Sequence, residues 1–123
     1  MKLLISIQPK HANKIFSGEK LFEFRKKIPI YKIKTALVYS SYPTKMIIGE
    51  FEIEETLTFT PEELWIKTGH KSGITKEFFN EYFKNTSISH ALKIKNPILY
   101  NKPKKLSEFG LKRPPQSFMY LRS

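Results

Sequence analysis

The 123-residue chain contains no cysteine and no aspartate, since all eleven of its acidic residues are glutamate. The absence of cysteine excludes disulfide bonds, thiol nucleophiles and cysteine-ligated zinc sites. Without aspartate, an acidic two-metal nuclease site would have to be built from glutamate alone. The three histidines, His11, His70 and His90, lack the close spacing of metal ligands. We therefore expect no metal and no cofactor, which narrows any catalysis to metal-free lysine and glutamate chemistry.

Long hydrophobic runs are also missing. No stretch approaches the roughly 18 apolar residues of a membrane span. The opening apolar run is broken by Gln8 and Pro9, unlike a signal peptide. We therefore expect a cytoplasmic protein with no membrane partner. The length predicts one domain over residues 1–123, large enough to bury a core without disulfides or metals.

The charge is strongly basic and unevenly distributed. The chain carries 22 basic and 11 acidic residues, for a formal net charge of +11. Residues 1–35 carry +7, residues 36–66 carry −5 and residues 67–123 carry +9. This distribution indicates a cationic face that suits an anionic partner such as RNA or a nucleotide. Nineteen of the 22 basic residues are lysine, so a general lysine bias explains the charge equally well.

The hydrophobic pattern predicts six strands and three helices. The predicted strands are residues 3–7, 21–26, 35–41, 45–56, 90–100 and 117–121, and the predicted helices are residues 9–17, 60–69 and 75–83. Gly18 is expected to end the first helix, and Thr60 and Thr75 to cap the others. Several strands connect without a crossover helix, which favours antiparallel pairing. We expect an α+β fold, a small and mostly antiparallel β-barrel with flanking helices.

The first candidate site lies at residues 18–26. In the predicted strand, Glu23 and Arg25 share a face, and Lys20 lies at the strand entry. A lysine beside other cations can act as a base or nucleophile, and a carboxylate beside it can relay a proton. Lys10 and Lys26 add positive charge that suits phosphate. A solvated strand face with ordinary cross-strand pairs is the alternative.

Two further segments present polar side chains. Tyr39, Ser40 and Ser41 end a buried strand, where hydroxyls can bind phosphate or a base edge. Gln116 and Ser117 follow two prolines, and glutamine can pair with a nucleobase. Turn chemistry and a stiff connection between strands are the alternatives.

An aromatic group lies near the middle of the chain. Its members are Trp65, Phe78, Phe79, Tyr82 and Phe83. Their helical spacing favours core positions, with a base-stacking surface as the alternative. We assign no histidine to a site.

Together these segments resemble an ASCH domain of the PUA-like superfamily. The resemblance is carried by Ser17-Gly18-Glu19-Lys20-x-x-Glu23-x-Arg25 and supported by Gly49-Glu50-Phe51, Tyr39-Ser40-Ser41 and Pro114-Pro115-Gln116-Ser117-Phe118. It implies a barrel with a cleft bordered by the first motif, and RNA or a modified nucleoside as ligand.

Some small members of that superfamily are amidohydrolases that act on N4-acetylcytidine through a lysine, a threonine and a glutamate. Lys20 matches the lysine, and Glu23 stands in place of the threonine. Glu77 and Glu81 are candidates for the distal glutamate.

Two function classes follow. We favour a module that binds RNA or a modified nucleotide. Its lysines would contact the phosphates of the ligand, and Glu23, Ser40 and Gln116 would contact the base. The alternative is a metal-free amidohydrolase or nuclease, with Lys20 and Glu23 as the catalytic pair and Arg25 stabilising an oxyanion. An accessory protein that contacts protein partners remains open as a third reading.

Overall fold

The computed structural model describes residues 1–122. In this range, the strands are β1 (Lys2–Ile7), β2 (Phe22–Arg25), β3 (Thr35–Ser40), β4 (Met46–Phe59), β5 (Ser89–Lys104) and β6 (Phe118–Leu121), and the helices are α1 (Pro9–Ser17), α2 (Pro61–Thr68) and α3 (Lys76–Tyr82). Short 3-10 turns occupy Gly69–Lys71 and Leu106–Phe109. None of the helices in residues 1–122 has the length and apolar character needed to cross a bilayer.

The strands form one curled sheet in the order β2-β5-β4-β3-β1-β6. The pairing of β1 with β3 is parallel, and the other four pairings in residues 1–122 are antiparallel. The edge strands β2 and β6 have no ladder between them in this range. The predicted α+β class agrees with this sheet and its helices, and the predicted antiparallel pairing holds except between β1 and β3, whereas the predicted barrel is a half-barrel with an open seam. The sequence pattern of a single strand does not indicate whether the two edge strands of the sheet pair with each other.

The core lies on both faces of the sheet, which explains the apolar run of β1. Leu3 and Ile5 pack under α1 against Ala12 and Ile15. Leu4 packs on the opposite face, in a cluster that includes Tyr39. A third, aromatic cluster joins β2 to α2 and α3. With both faces covered, β1 has no polar face to present.

The predicted helix ends are confirmed. Gly18 has a φ of 86°, and its N–H donates to the carbonyl of Ile15. Glycine adopts this left-handed conformation without a Cβ clash, so the chain turns directly from α1 to Lys20. The hydroxyls of Thr60 and Thr75 accept from backbone N–H groups in the first turns of α2 and α3.

The end of α1 is seated on the sheet at Gly49. A Cβ at this position would lie 2.6 Å from Cζ of Phe16 and would clash with the carbonyl oxygen of Ile98. The missing side chain therefore allows Phe16 to approach the backbone of β4. This contact sets the position of the turn that leads to Lys20.

We expect Gly49→Ala to lower the free energy of unfolding by about 3 kcal/mol, because an added methyl group overpacks a site bounded by backbone. Urea denaturation measures the change. The control Thr44→Ala, in an exposed turn, should stay within about 0.5 kcal/mol of the wild type. Equal stabilities for the two variants would show that α1 does not depend on this close approach.

Candidate functional site

A pocket of about 250 Å³ lies where β1, α1, β2 and α3 meet, beside the open seam. Its walls come from three separate stretches of the chain, residues 6–11, 20–25 and 74–82. The lining residues are Ser6, Ile7, Gln8, His11, Lys20, Glu23, Phe24, Arg25, Ile74, Phe78 and Tyr82. The motif predicted from the sequence thus supplies four of the walls' members, including Lys20, Glu23 and Arg25.

Lys20 is almost completely buried in the pocket wall, with a relative exposure of 2%. Its Nζ donates to the carbonyl of Ser72 at 3.0 Å, lies 3.9 Å from Oε1 of Glu23 and sits 4.8 Å from the centre of the Phe24 ring. Burial lowers the pKa of the Lys20 amine, and the positive charges of Arg25 and Lys14 lower it further, while Glu23 opposes the change. The amine therefore gives up its proton more readily than a surface lysine.

Glu23 lies between two cations. Nε and Nη2 of Arg25 both donate to Oε2, at 3.0 and 2.7 Å, and Oε1 faces Lys20. Glu23 is 6% exposed, so the alternative of a solvated strand face is wrong. The physical reason is the seam: residues of β1 and of the segment before β6 cover this face of β2.

Arg25 bridges the open seam. Its Nη2 donates to the carbonyl of Ser6 in β1 at 2.7 Å, and its Nη1 donates to Oγ of Ser117 at 3.2 Å. The Ser6 hydroxyl in turn donates to the carbonyl of Pro115 at 2.7 Å. Four of the five guanidinium N–H groups are thus engaged within residues 1–122, which leaves one for a ligand.

The remaining predicted ligand-binding residues lie at different distances from the pocket. Tyr39 and Ser40 are buried in β3, and Ser41 donates its N–H to the carbonyl of Ile7; none of the three lines the pocket. Gln116 is exposed beside Ser117. The roles assigned to these five residues stay predictions, and Ser117 accepts a hydrogen bond from Arg25, which lines the pocket.

The two flanking lysines are exposed near the pocket. Lys10 is on α1, next to His11. Nζ of Lys26 lies 5.2 Å from the centre of the Tyr82 ring, and Tyr82 lines the pocket. Glu23 is the one acidic lining residue, so the surroundings of the pocket are positive and favour an anionic ligand. In residues 1–122, no three histidine or glutamate side chains are grouped as metal ligands.

The sequence assigns His11 to no site and favours core positions for Phe78 and Tyr82, with a base-stacking surface as the alternative. Phe79 and Phe83 are core residues as predicted, but Phe78 and Tyr82 line the pocket. The sequence signal for Phe78 and Tyr82 is their spacing. They are four residues apart and share a helix face next to the face of Phe79 and Phe83.

His11 packs its ring 5.2 Å from that of Phe78, and its Nδ1 is the buried side-chain nitrogen or oxygen in residues 1–122 that lacks a hydrogen-bond partner. Burial lowers the pKa of His11, as do the charges of Lys20, Lys10 and Lys14, against the opposing effect of Glu23. The neutral form of the ring is therefore favoured more than in a free histidine. Its one sequence signal is a helix position that shares a face with Ile15.

We expect Lys20→Met to raise the free energy of unfolding at pH 7, because the loss of hydration of the Lys20 amine outweighs its attraction to Glu23, and Glu23 keeps its two hydrogen bonds to Arg25. The pKa of Lys20 is lower in the folded state than in the unfolded state. At pH values between these two pKa values the unfolded state binds more protons, so the stability of the wild type rises with pH in that range. The advantage of Lys20→Met should therefore shrink as the pH rises toward 10.

Denaturation at pH 7, 8, 9 and 10 measures this difference. The control Lys67→Met, at an exposed position of α2, reports the effect of removing a surface lysine charge. A Lys20→Met protein that is less stable than the wild type by the same amount at every pH would contradict the assignment of a costly buried charge.

Comparisons with known proteins place the chain in a family. The family model of the ASCH domain matches residues 5–98 of this chain. The large ribosomal subunit protein uL22 of Ureaplasma parvum serovar 3 is 36% identical over 121 residues, which are 98% of this chain and 39% of that protein. The chain thus spans about two fifths of the length of this relative.

Similarity to proteins from Zymomonas mobilis extends over most of both chains. An ASCH domain-containing ribonuclease is 29% identical, covering 97% of this chain and 83% of that protein. The crystal structure of ASCH from the same organism superposes with a TM-score of 0.88 at 28% identity, over 98% of this chain and 87% of that one. The chain belongs to the ASCH domain family.

Proposed function

We propose that this chain binds RNA at the positive surface around the pocket and cleaves the strand there, with Lys20 as the proton acceptor. The observation that carries the proposal is the buried Lys20 amine in the wall of an accessible pocket. A buried charge of this kind is costly and disfavours folding unless its partners offset the loss of hydration. Its place beside Arg25 suits a reaction in which an anion is held and a proton is moved.

Binding rests on the charges around the pocket. Lys10 and Lys26 are exposed next to lining residues and are positioned to contact phosphates of a strand that enters the pocket. Gln116 is exposed beside Ser117, which accepts a hydrogen bond from Arg25, and Gln116 is the predicted contact to a base. RNA is favoured over a free nucleotide because the basic residues extend beyond the pocket.

Cleavage rests on the three residues of the motif. In its deprotonated form, which the lowered pKa makes more accessible, the Lys20 amine takes the proton of the ribose 2′-hydroxyl, whose oxygen then bonds to the adjacent phosphorus. The bond from phosphorus to the 5′-oxygen breaks, and that oxygen takes a proton from water. Glu23 holds Lys20 and Arg25 in place, and the remaining guanidinium N–H of Arg25 stabilises the charge that develops on the phosphoryl oxygens.

Two further observations favour RNA cleavage over amide hydrolysis. One relative is named a ribonuclease, and its alignment with this chain covers 83% of that relative's length. Glu23, which stands where the amidohydrolases have their threonine, is engaged by Arg25 through two hydrogen bonds. The motif therefore supplies a proton acceptor and an anion-stabilising group, but no hydroxyl nucleophile.

We expect Lys20→Met to lower the rate of RNA cleavage by about 10²-fold or more while the protein stays folded, because the proton acceptor is lost. The assay uses end-labelled single-stranded RNA and DNA of one sequence, with magnesium and with a chelator. The wild type should cleave RNA, leave DNA intact and produce 2′,3′-cyclic phosphate ends. Lys67→Met is the matched control and should retain wild-type activity. Cleavage by Lys20→Met at the wild-type rate would remove Lys20 from the reaction.

We expect Lys26→Gln to weaken RNA binding about equally for different sequences and to reduce the slope of log K against log salt by about 1, because one phosphate contact is lost. Fluorescence anisotropy at several salt concentrations measures the slope. The exposed Lys67→Gln provides the comparison at a position remote from the pocket. An unchanged slope for Lys26→Gln would place the strand elsewhere on the surface.

A further inference from the structure

Helix α3 presents two aromatic faces to two different environments. Phe79 and Phe83 are buried and pack edge-on against Phe24 of β2. Phe78 and Tyr82 are one helical turn apart on the neighbouring face, and both line the pocket. The core pair anchors the helix, so the pocket pair is held at a fixed distance from β2.

Phe78 is 44% exposed, although it belongs to a well-packed helix and has a pocket in front of it. Its ring is supported from one side by His11, with ring centres 5.2 Å apart and planes inclined by 56°. The support restricts the ring without covering it. An aromatic surface that is both fixed and exposed inside a pocket is suited to stacking on a flat ligand.

The polar groups of the pocket point to the chemistry of that ligand. Nδ1 of His11 is buried and has no hydrogen-bond partner in residues 1–122. Such atoms are rare in folded proteins, and the polar edge of a bound ring would supply the missing partner. Cations border the aromatic surface, since Lys20 and Arg25 line the pocket and Lys26 lies over Tyr82.

Aromatic rings alternating with cations are the pattern that binds single-stranded nucleic acid, in which the bases stack and the phosphates meet the positive charges. A pocket of about 250 Å³ has room for one ring system and its sugar rather than for a base pair. An apolar ligand without charge would leave the surrounding cations unused. An unpaired nucleotide of a strand suits all three features, because its base contacts the ring and the nitrogen and its phosphate contacts the cations.

We propose that Phe78, Tyr82 and His11 form a nucleobase subsite in which one unpaired base of a single-stranded RNA stacks on the Phe78 ring. This inference rests on the RNA binding proposed above and adds the recognition element that selects single strands. The base is drawn out of its own stack, because a base in a duplex cannot reach the Phe78 face. The backbone beside the bound base then lies near Lys20 and Arg25.

The experiment compares the affinities of Phe78→Leu and the wild type for a short single-stranded RNA by fluorescence anisotropy at several salt concentrations. Phe78→Leu keeps an apolar side chain but removes the ring. We expect its affinity to fall about tenfold or more, as for the loss of one stacked base, with the salt slope unchanged because no phosphate contact is lost. Phe78→Trp should restore the affinity.

A second ligand separates stacking from general damage to the site. RNA of the same length without bases should bind the wild type and Phe78→Leu equally. The control Tyr42→Leu removes an aromatic ring that is 81% exposed, outside the pocket, and should bind RNA as the wild type does. Circular dichroism checks that each variant is folded.

The outcomes distinguish this inference from the proposed function. If the wild type binds RNA and Phe78→Leu binds it equally well, the nucleobase subsite is wrong while RNA binding stands. If the affinity falls together with the salt slope, Phe78 acts through the cations, and the stacking role is also overturned. If the wild type binds no RNA at any salt concentration, both the proposed function and the subsite fail.

Discussion

The structure of the pocket depends on one guanidinium group that spans an open seam. The sheet of residues 1–122 ends at β2 on one side and at β6 on the other, and Arg25 connects the two sides through Ser6 and Ser117. The same guanidinium fixes Glu23, and Glu23 faces the Lys20 amine. Side-chain hydrogen bonds thus take the place of a strand pairing. Where a backbone ladder would have filled the seam, the chain has a cavity lined by ionisable groups.

This arrangement sets stability against function. Two cations and one carboxylate lie together largely shielded from solvent, and the carboxylate does not fully offset the loss of hydration of Lys20. Natural proteins retain such groups where a reaction or a ligand requires them. The turn at Gly73 shows how closely the fold is built around Lys20: a Cβ there would lie 2.8 Å from the Cβ of the lysine. The site is therefore held by backbone geometry as well as by charge.

Local patterns predicted the elements and part of the site. The alternation in residues 21–26 placed Glu23 and Arg25 on one face, and Gly18 marked the turn that brings in Lys20. Local patterns could not predict that this face of β2 is covered, because the covering residues, Ser117 and Ser6, lie 92 and 19 positions away from Arg25 in the chain. Nor does helical spacing tell which of two adjacent aromatic faces meets the sheet, so Phe78 and Tyr82 were interpreted as core. The isolated His11 carried no motif, and its importance comes from what surrounds it.

The bonds across the seam also have a consequence for synthesis and folding. The Ser6 hydroxyl reaches Pro115 across 109 positions, and Arg25 reaches Ser117 across 92. Contacts between such distant residues close large loops and form late. A nascent chain that has emerged only as far as β5 already contains Lys20, Glu23 and Arg25, but it lacks the segment against which Arg25 is held. The pocket is thus completed only after residue 117 has left the ribosome, so a partly made chain has the chemical groups of the site without their arrangement.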